Sequence, residues 1–206
     1  MGFYGDHIFP RVLNTFMDNE ENRRLRTRVC GGLDGDVVEI GFGTGLNAPH
    51  LPTAVSRVRA VEPSKKCVEL AQERIDASSV PIEIAGLDGQ RLPFDDASAD
   101  AVLSTWTLCT IPDVVAALKE IGRVLRPGGS LHFIEHGCSP DAGVRKWQDR
   151  LNGVQNRVAC GCNINRDIPA LVAEGGLTVD RIETYYTKGE PKILGWTFEG
   201  TASVPA

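Results

Sequence analysis

The residues in this chain best suited to chemistry begin with Gly41-Phe42-Gly43-Thr44-Gly45, which directly follows the apolar run Val37-Val38-Glu39-Ile40. Glycines there allow a tight turn and let a ligand lie against bare backbone at the carboxyl end of a strand. A dinucleotide loop would want a further glycine at position 46, but that residue is Leu46; the spacing favours a nucleoside ligand without a pyrophosphate. Glu62 closes a second apolar run, where a carboxylate can accept hydrogen bonds from both hydroxyls of a ribose. Asp88 follows a third run and could accept from an adenine amino group. Alone, Glu62 reads as a helix-capping carboxylate and Asp88 as a solvated loop acid. Together at strand ends beside a glycine loop they mark a ligand site.

A second group lies further along. His136, just beyond a fifth apolar run, is placed to act as a base or a thiolate-stabilising donor; its plain alternative is a histidine bonded to backbone. Asn163 and Arg166 precede Asp167, the expected cap of a short helix, and could bring polar donors over a pocket. Arg166 could pair with an anionic acceptor group or with a surface carboxylate. Of six cysteines, Cys160 and Cys162 form the only close pair, and with Cys138 and His136 they could in principle supply four metal ligands. Their single-residue spacing matches neither a redox motif nor a common zinc knuckle, so buried, reduced thiols and no metal are expected.

The elements that must position these residues follow an alternating rhythm. Strands are expected at Val37 to Ile40, Arg57 to Glu62, Pro81 to Ala85, Asp100 to Ser104 and Ser130 to Glu135, with helices at Lys65 to Ser78 (Ser64 as N-cap) and Val114 to Leu125 between them. That alternation predicts an α/β domain on a mainly parallel sheet with helices on both faces. Residues 1–34 read as a helical cap ending at Gly31-Gly32, with Ile8, Val12, Leu13 and Phe16 at helical spacing. After residue 139 come an amphipathic helix, Ala142 to Val158, a shorter one at Ile168 to Glu174, and strand-like runs Leu177 to Tyr185 and Lys192 to Phe198 that suit a closing antiparallel hairpin. With no repeat or linker, residues 1–206 are expected to form one domain: cap 1–34, ligand-binding core 35–139, and acceptor-side helices and final strands 140–206. In the helix Ala142 to Val158, the stripe Val144, Trp147, Leu151, Val154, Val158 is expected to dock on the sheet. A pocket lid or contact with an anionic membrane are the alternatives.

With 22 Lys plus Arg against 27 Asp plus Glu and a net charge of −5, the chain offers no general electrostatic footing for duplex nucleic acid, and none is expected as a partner. No apolar run reaches the ~20 residues needed to span a bilayer, and the first residues lack the order of a secretory signal, so a cytoplasmic location is expected.

In order and spacing, VVEIGFGTG at Val37 to Gly45, Val61-Glu62-Pro63-Ser64, Asp88 with Leu92-Pro93-Phe94, and RVLRPGG at Arg123 to Gly129 resemble the class I S-adenosylmethionine-dependent methyltransferases. The resemblance implies a Rossmann-like seven-stranded sheet and cofactor contacts at Tyr4, Glu39, Gly41, Gly43, Gly45, Glu62, Pro63, Asp88, Gly89 and Thr105. Thr107 to Asp113, Phe133 to Gly137, Trp147-Gln148 and Gly161 to Arg166 are similar to the group that includes animal thiol S-methyltransferases. Acceptor-side residues are expected at His7, Cys109, Trp147, Asn163 and Arg166, with His136 in catalysis. Those animal enzymes carry an N-terminal membrane-anchoring segment, whereas this chain opens at its Tyr4 helix, so their placement is not carried over.

Methyl transfer from a sulfonium leaves a neutral thioether and needs no leaving-group acid, so positioning does much of the work. Direct transfer needs no enzyme nucleophile, which leaves Cys109 and Cys162 to packing. The expected function is methylation of a small molecule on a thiol sulfur. A quinone, phenol, amine or phospholipid headgroup is the alternative acceptor. A nicotinamide-dependent oxidoreductase, opposed by Leu46 and the lack of a Tyr-x-x-x-Lys pair, or a noncatalytic ligand-binding regulator stands further off.

Overall fold

The computed structural model describes residues 4–86 and 88–205, without the Asp6 side chain. Residues 1–3 of the expected cap and Leu87 of the loop before Asp88 lie outside the described residues.

Seven strands form one sheet: β1 (Gly35–Ile40), β2 (Val55–Val61), β3 (Ile82–Gly86), β4 (Ala99–Thr105), β5 (Leu125–His136), β6 (Thr178–Tyr186) and β7 (Trp196–Ser203), in the order β3-β2-β1-β4-β5-β7-β6. β1 pairs in parallel with β2 and β4, and the parallel set extends to β3 and β5. β7 then runs antiparallel between β5 and β6. The order reverses between β1 and β4, so their carboxyl ends flank the crevice where open α/β sheets bind ligands.

Helices cover both faces because the central strands are apolar on both sides; Val37 and Val38 point oppositely and each is fully buried. On one face α2 (Glu20–Cys30) and α3 (Lys65–Asp76) pack Leu25, Val29 and Ala71 with Val37, Val58 and Leu103. On the other, α4 (Val114–Val124) and α6 (Ile168–Glu174) pack Leu118, Ile121 and Val172 with Val38, Val102 and Phe133. Side-chain caps start these helices: Asn19 for α2, Ser64 for α3, Asp113 for α4 and Asp167 for α6.

The expected N-terminal helix is two, α1 (Phe9–Met17) and α2, broken where Asn19 caps the second. Ile8, Val12, Leu13 and Phe16 face outward rather than packing. Their spacing gives the helix its apolar face, but spacing does not say what covers it. Lys192 to Gly195 form a helical turn instead of strand, because Pro191 supplies no amide and its geometry starts a turn; β7 begins only at Trp196. The largest departure is α5 (Ala142–Val158), whose expected docking stripe is exposed at Trp147 (55 %), Leu151, Val154 and Val158. Gln148 is its buried residue, at 1 %. Its amide accepts from Ser139 N at 2.9 Å and donates to Gly137 O and Ile193 O at 3.0 and 3.1 Å. Asn152, Gln155 and Asn156 continue that side of the helix at helical spacing, and Asn152 and Asn156 both donate to Asn163. α5 is held by amides, with its apolar face outward.

Candidate functional site

The glycine loop leaves β1 at the crevice with Gly41, Gly43 and Gly45 all in the left-handed region (φ 71°, 58° and 75°). At Gly41 a Cβ would lie 2.1 Å from the Thr107 hydroxyl, so close approach of the β4 exit loop requires glycine there as well. Glu62, buried at the end of β2, accepts from Gly43 N and from Ser64 N, each at 2.8 Å. Burial raises its pKa, against the lowering effect of the Ser64 and Gly43 amides. Each carboxylate oxygen keeps a second lone pair for a ligand hydroxyl. Glu62 N donates to Gly86 O at 3.0 Å, which sets the β3 exit beside it. Asp88 is exposed there and accepts from Gln90 N at 2.9 Å in a local turn. Gly89 packs on Ile40, where a Cβ would meet its Cγ2 at 2.8 Å. Pro63 is exposed.

Beside the glycine loop is a buried polar network. Asn47 donates to Glu39 at 2.8 Å and to Thr105 at 2.9 Å, and Arg26 donates to Asn47 at 2.6 Å and Thr105 at 3.2 Å. The Arg26 guanidinium also lies 4.8 Å from the centre of the Trp106 ring, and Trp106 itself holds a left-handed backbone (φ 51°). Burial raises the Glu39 pKa to about 7 against Asn47 and Arg26, and lowers that of Arg26 to about 10. Glu39 Oε2 and Arg26 Nε are buried with no hydrogen-bond partner among the described residues. A free acceptor and a free donor beside a bare-backbone cradle fit the amino-acid end of a nucleoside-linked zwitterion.

Tyr4 is exposed, and its hydroxyl donates to Val158 O at 3.1 Å, tying the chain's first helical turn to the end of α5. His7 is exposed on the same turn, and Trp147 is exposed on α5.

On the other side of the crevice, Glu135 is fully buried and accepts from Ser104 Oγ and from the amides of Thr107, Leu108 and Cys109. This fixes the β4 exit loop. Burial raises the Glu135 pKa to about 8. The loop from Ala159 to Arg166 folds onto it. Asn163 donates through its backbone and side chain to Cys109 O, at 2.9 and 3.1 Å, and its side chain also meets Gly161 O, Asn152 and Asn156. All four of its side-chain positions are used, so Asn163 ties the loop down. Arg166 donates to Leu108 O; burial lowers its pKa, against the opposing pull of Cys109 and Glu135.

Three reactive side chains converge there. His136 Nε2 lies 2.9 Å from Cys162 Sγ, and Cys162 Sγ lies 4.0 Å from Cys109 Sγ. The Cys162 thiol, helped by His136, holds the Cys109 thiol well below the usual range, while its bond to Cys109 and burial push Cys162 up. The four-ligand grouping that the sequence allowed in principle is not assembled among the described residues: Cys109 joins His136 and Cys162, while Cys138 meets Arg145 at 3.8 Å.

Arg26 and Asn47 escaped the sequence reading, and Glu135 and Gln148 entered it only inside matching motifs, with no role assigned. Each is a polar residue inside or beside an apolar pattern, a buried group needing a partner, and that was the available signal.

A family described as Methyltransferase domain matches residues 38–133. The human thiol S-methyltransferase TMT1A is 29 % identical over 137 residues, 64 % of this chain and 55 % of that protein, so the chain spans about half the length of that relative. A demethylmenaquinone methyltransferase of Mycobacterium sp. (strain KMS) is 34 % identical over 168 residues, 79 % of this chain and 70 % of the relative. Among solved structures, the complex of the Haloferax volcanii Trm112 methyltransferase activator with a methyltransferase superposes with a TM-score of 0.73 at 18 % identity, covering 97 % of this chain and 98 % of the other, a likeness of fold. Taken with the glycine loop, the β2 carboxylate and the sheet order, these matches establish that the chain belongs to the class I S-adenosylmethionine-dependent methyltransferases.

Proposed function

We propose that the chain transfers a methyl group from S-adenosylmethionine to a small molecule, and that the acceptor atom is the sulfur of a thiol. The convergence of His136, Cys109 and Cys162 past the carboxyl ends of β4 and β5, across the crevice from the glycine loop, carries the choice of acceptor: a histidine among soft, polarisable groups suits a thiolate. When bound, S-adenosylmethionine supplies an electrophilic methyl group on a sulfonium. Glu62 takes the ribose hydroxyls on its spare lone pairs, and Gly41, Gly43 and Gly45 offer bare backbone. Pro63, Asp88 and Gly89 flank the adenine. Glu39 and Arg26 receive the ammonium and carboxylate, with Thr105 holding Arg26, and Tyr4 lies over the donor.

His136 favours the acceptor's thiolate. His7, Cys109, Trp147, Asn163 and Arg166 shape the acceptor side. We place all of this in one domain spanning residues 1–206 that acts in the cytoplasm without nucleic acid. The similarity to a demethylmenaquinone methyltransferase supports a quinone carbon as the second acceptor reading.

Calorimetry tests the donor site: S-adenosylmethionine and S-adenosylhomocysteine bind, NAD does not, and Glu62→Ala and Asp88→Ala each weaken binding by roughly 1–3 kcal/mol. NAD binding without S-adenosylmethionine binding would overturn the reading. A screen of thiols, quinols, phenols and amines with labelled methyl donor identifies the acceptor. His136→Ala is expected to lower transfer while leaving donor affinity unchanged, and an undiminished rate would remove it from the mechanism.

The outward apolar face of α5, flanked by Arg145, Lys146, Arg150 and Arg157, supports a further proposal, weak peripheral contact with an anionic lipid surface from which apolar acceptors are drawn. Among the described residues no helix is long and apolar enough to cross a membrane.

A further inference from the structure

The Cys109, His136 and Cys162 side chains come from three separate segments, the β4 exit loop, the end of β5 and the loop after α5, yet their ligand atoms lie within 4.8 Å of one another. Such a grouping is unusual for inert thiols, which are ordinarily dispersed among apolar neighbours. Two zinc–sulfur bonds of about 2.3 Å at a tetrahedral angle place their sulfurs about 3.8 Å apart, and one such bond with a zinc–nitrogen bond of about 2.05 Å gives about 3.6 Å. The separations here are 4.0 Å between the sulfurs and 2.9 Å between His136 Nε2 and Cys162 Sγ. The tetrahedral set requires the His136–Cys162 separation to open by about 0.7 Å and the Cys109–His136 pair, which lies within 4.8 Å, to close toward about 3.6 Å, both adjustments of side-chain rotamer scale.

The surroundings suit thiolates. The Thr110 hydroxyl lies 3.5 Å from Cys109 Sγ and the Gln155 amide 4.0 Å from Cys162 Sγ, donors of the kind that support metal-bound sulfur. Cys109 is further fixed by the hydrogen bond its backbone N–H donates to Glu135 and by the two hydrogen bonds Asn163 donates to its carbonyl. Cys109 and Cys162 are buried and His136 is partly buried.

We infer that Cys109, His136 and Cys162 form a three-ligand site for a thiophilic divalent cation of the zinc class, whose fourth position takes the thiolate of the methyl acceptor. The acceptor half of this inference rests on the thiol methyltransferase reading; the metal half does not. Three protein ligands with one open position is the pattern of zinc sites that do chemistry, as opposed to closed structural ones. Binding releases the protons of both cysteine thiols to solvent, which makes the loaded site neutral, and the acceptor thiol loses its own proton on joining. The added negative charge lies near the Arg166 guanidinium, which is bonded to the adjacent Leu108 carbonyl. In transfer, a sulfur lone pair of the bound thiolate forms the new S–C bond as the sulfonium S–C bond breaks. S-adenosylhomocysteine leaves as a neutral thioether, with nothing oxidised or reduced.

The experiment uses the whole chain, purified reduced and without a histidine tag, and needs neither donor nor acceptor for its first readout. Elemental analysis is expected to find about one zinc per chain. After metal removal, titration with Co(II) is expected to give an intense thiolate-to-cobalt charge-transfer band. Cys109→Ser and Cys162→Ser each weaken Co(II) binding by roughly 100-fold, His136→Gln weakens it comparably, and Cys30→Ser leaves the band unchanged. Adding a small thiol to the cobalt form is expected to shift its visible bands.

Absence of the cobalt band, a band that survives in Cys109→Ser, or a native mass two hydrogens light from a Cys109–Cys162 disulfide would overturn the metal site. Metal-free protein that methylates thiols at the full rate would also overturn the inference and leave the proposed function standing. Metal binding with no methylation of any thiol would sink the acceptor role and the thiol reading together, leaving only the metal site.

Discussion

At the residue scale, Glu39 and Gly41 show how burial and backbone set the donor site. The folded chain holds the Glu39 proton more tightly than the unfolded chain does, with a pKa of about 7 against the ordinary 4.5. Stability is therefore lost as pH rises between those values and is level above them. Glu39→Gln has no such loss. Its urea-derived stability relative to the original chain is expected to improve by up to roughly 3 kcal/mol from pH 4 to pH 8, while its affinity for S-adenosylmethionine at pH 8 falls. Equal pH profiles for the two proteins would show that Glu39 does not titrate in this window. Gly41→Ala combines a left-handed backbone with a Cβ 2.1 Å from the Thr107 hydroxyl. It is expected to cost about 2–4 kcal/mol in thermal or urea unfolding and to abolish donor binding; a near-neutral effect would contradict the described approach of the two loops.

At the element scale, α5 decides what a helix's outward and inward sides are for. Replacing Gln148 with Leu leaves Ser139 N, Gly137 O and Ile193 O without their partner and is expected to destabilise by about 2–4 kcal/mol. Trp147→Ala, one position away but exposed, should cost less than about 1 kcal/mol. The opposite ranking in urea unfolding would mean the helix is turned over. The same helix shows what could be read from sequence.

The bounds of α5 and α6, the parallel core and the closing hairpin were legible, because caps and periodicity are local signals. Which face of α5 is inward was not. A run with apolar residues at one helical spacing and amides at another offers two faces, and only distant segments, Gly137 to Ser139, Ile193 and the loop holding Asn163 and Ile164, select the amides. In the same way Glu62 and the glycine loop could be found from strand-end position. Cys109, His136 and Cys162 could not be grouped, since Cys109 and Cys162 are 53 positions apart and met only through the fold.

For the whole molecule, the exposed apolar faces of α1 and α5 make contact with lipid a measurable property. Vesicles with anionic headgroups are expected to carry the chain upward in a density gradient at low salt. Trp147→Glu combined with Val154→Glu should abolish that flotation, and no flotation of the original chain at low salt would remove the contact. The arrangement also bears on how ligand is admitted. Glu62 accepts from Gly43 N and Ser64 N, bonds made within the protein itself that fix the segment after β1. Capture then needs little ordering of that segment, and hydrogen–deuterium exchange at positions 41–45 should be slow in both the free and the loaded protein. Changes in exchange caused by loading belong elsewhere, among the parts that close over the ligand.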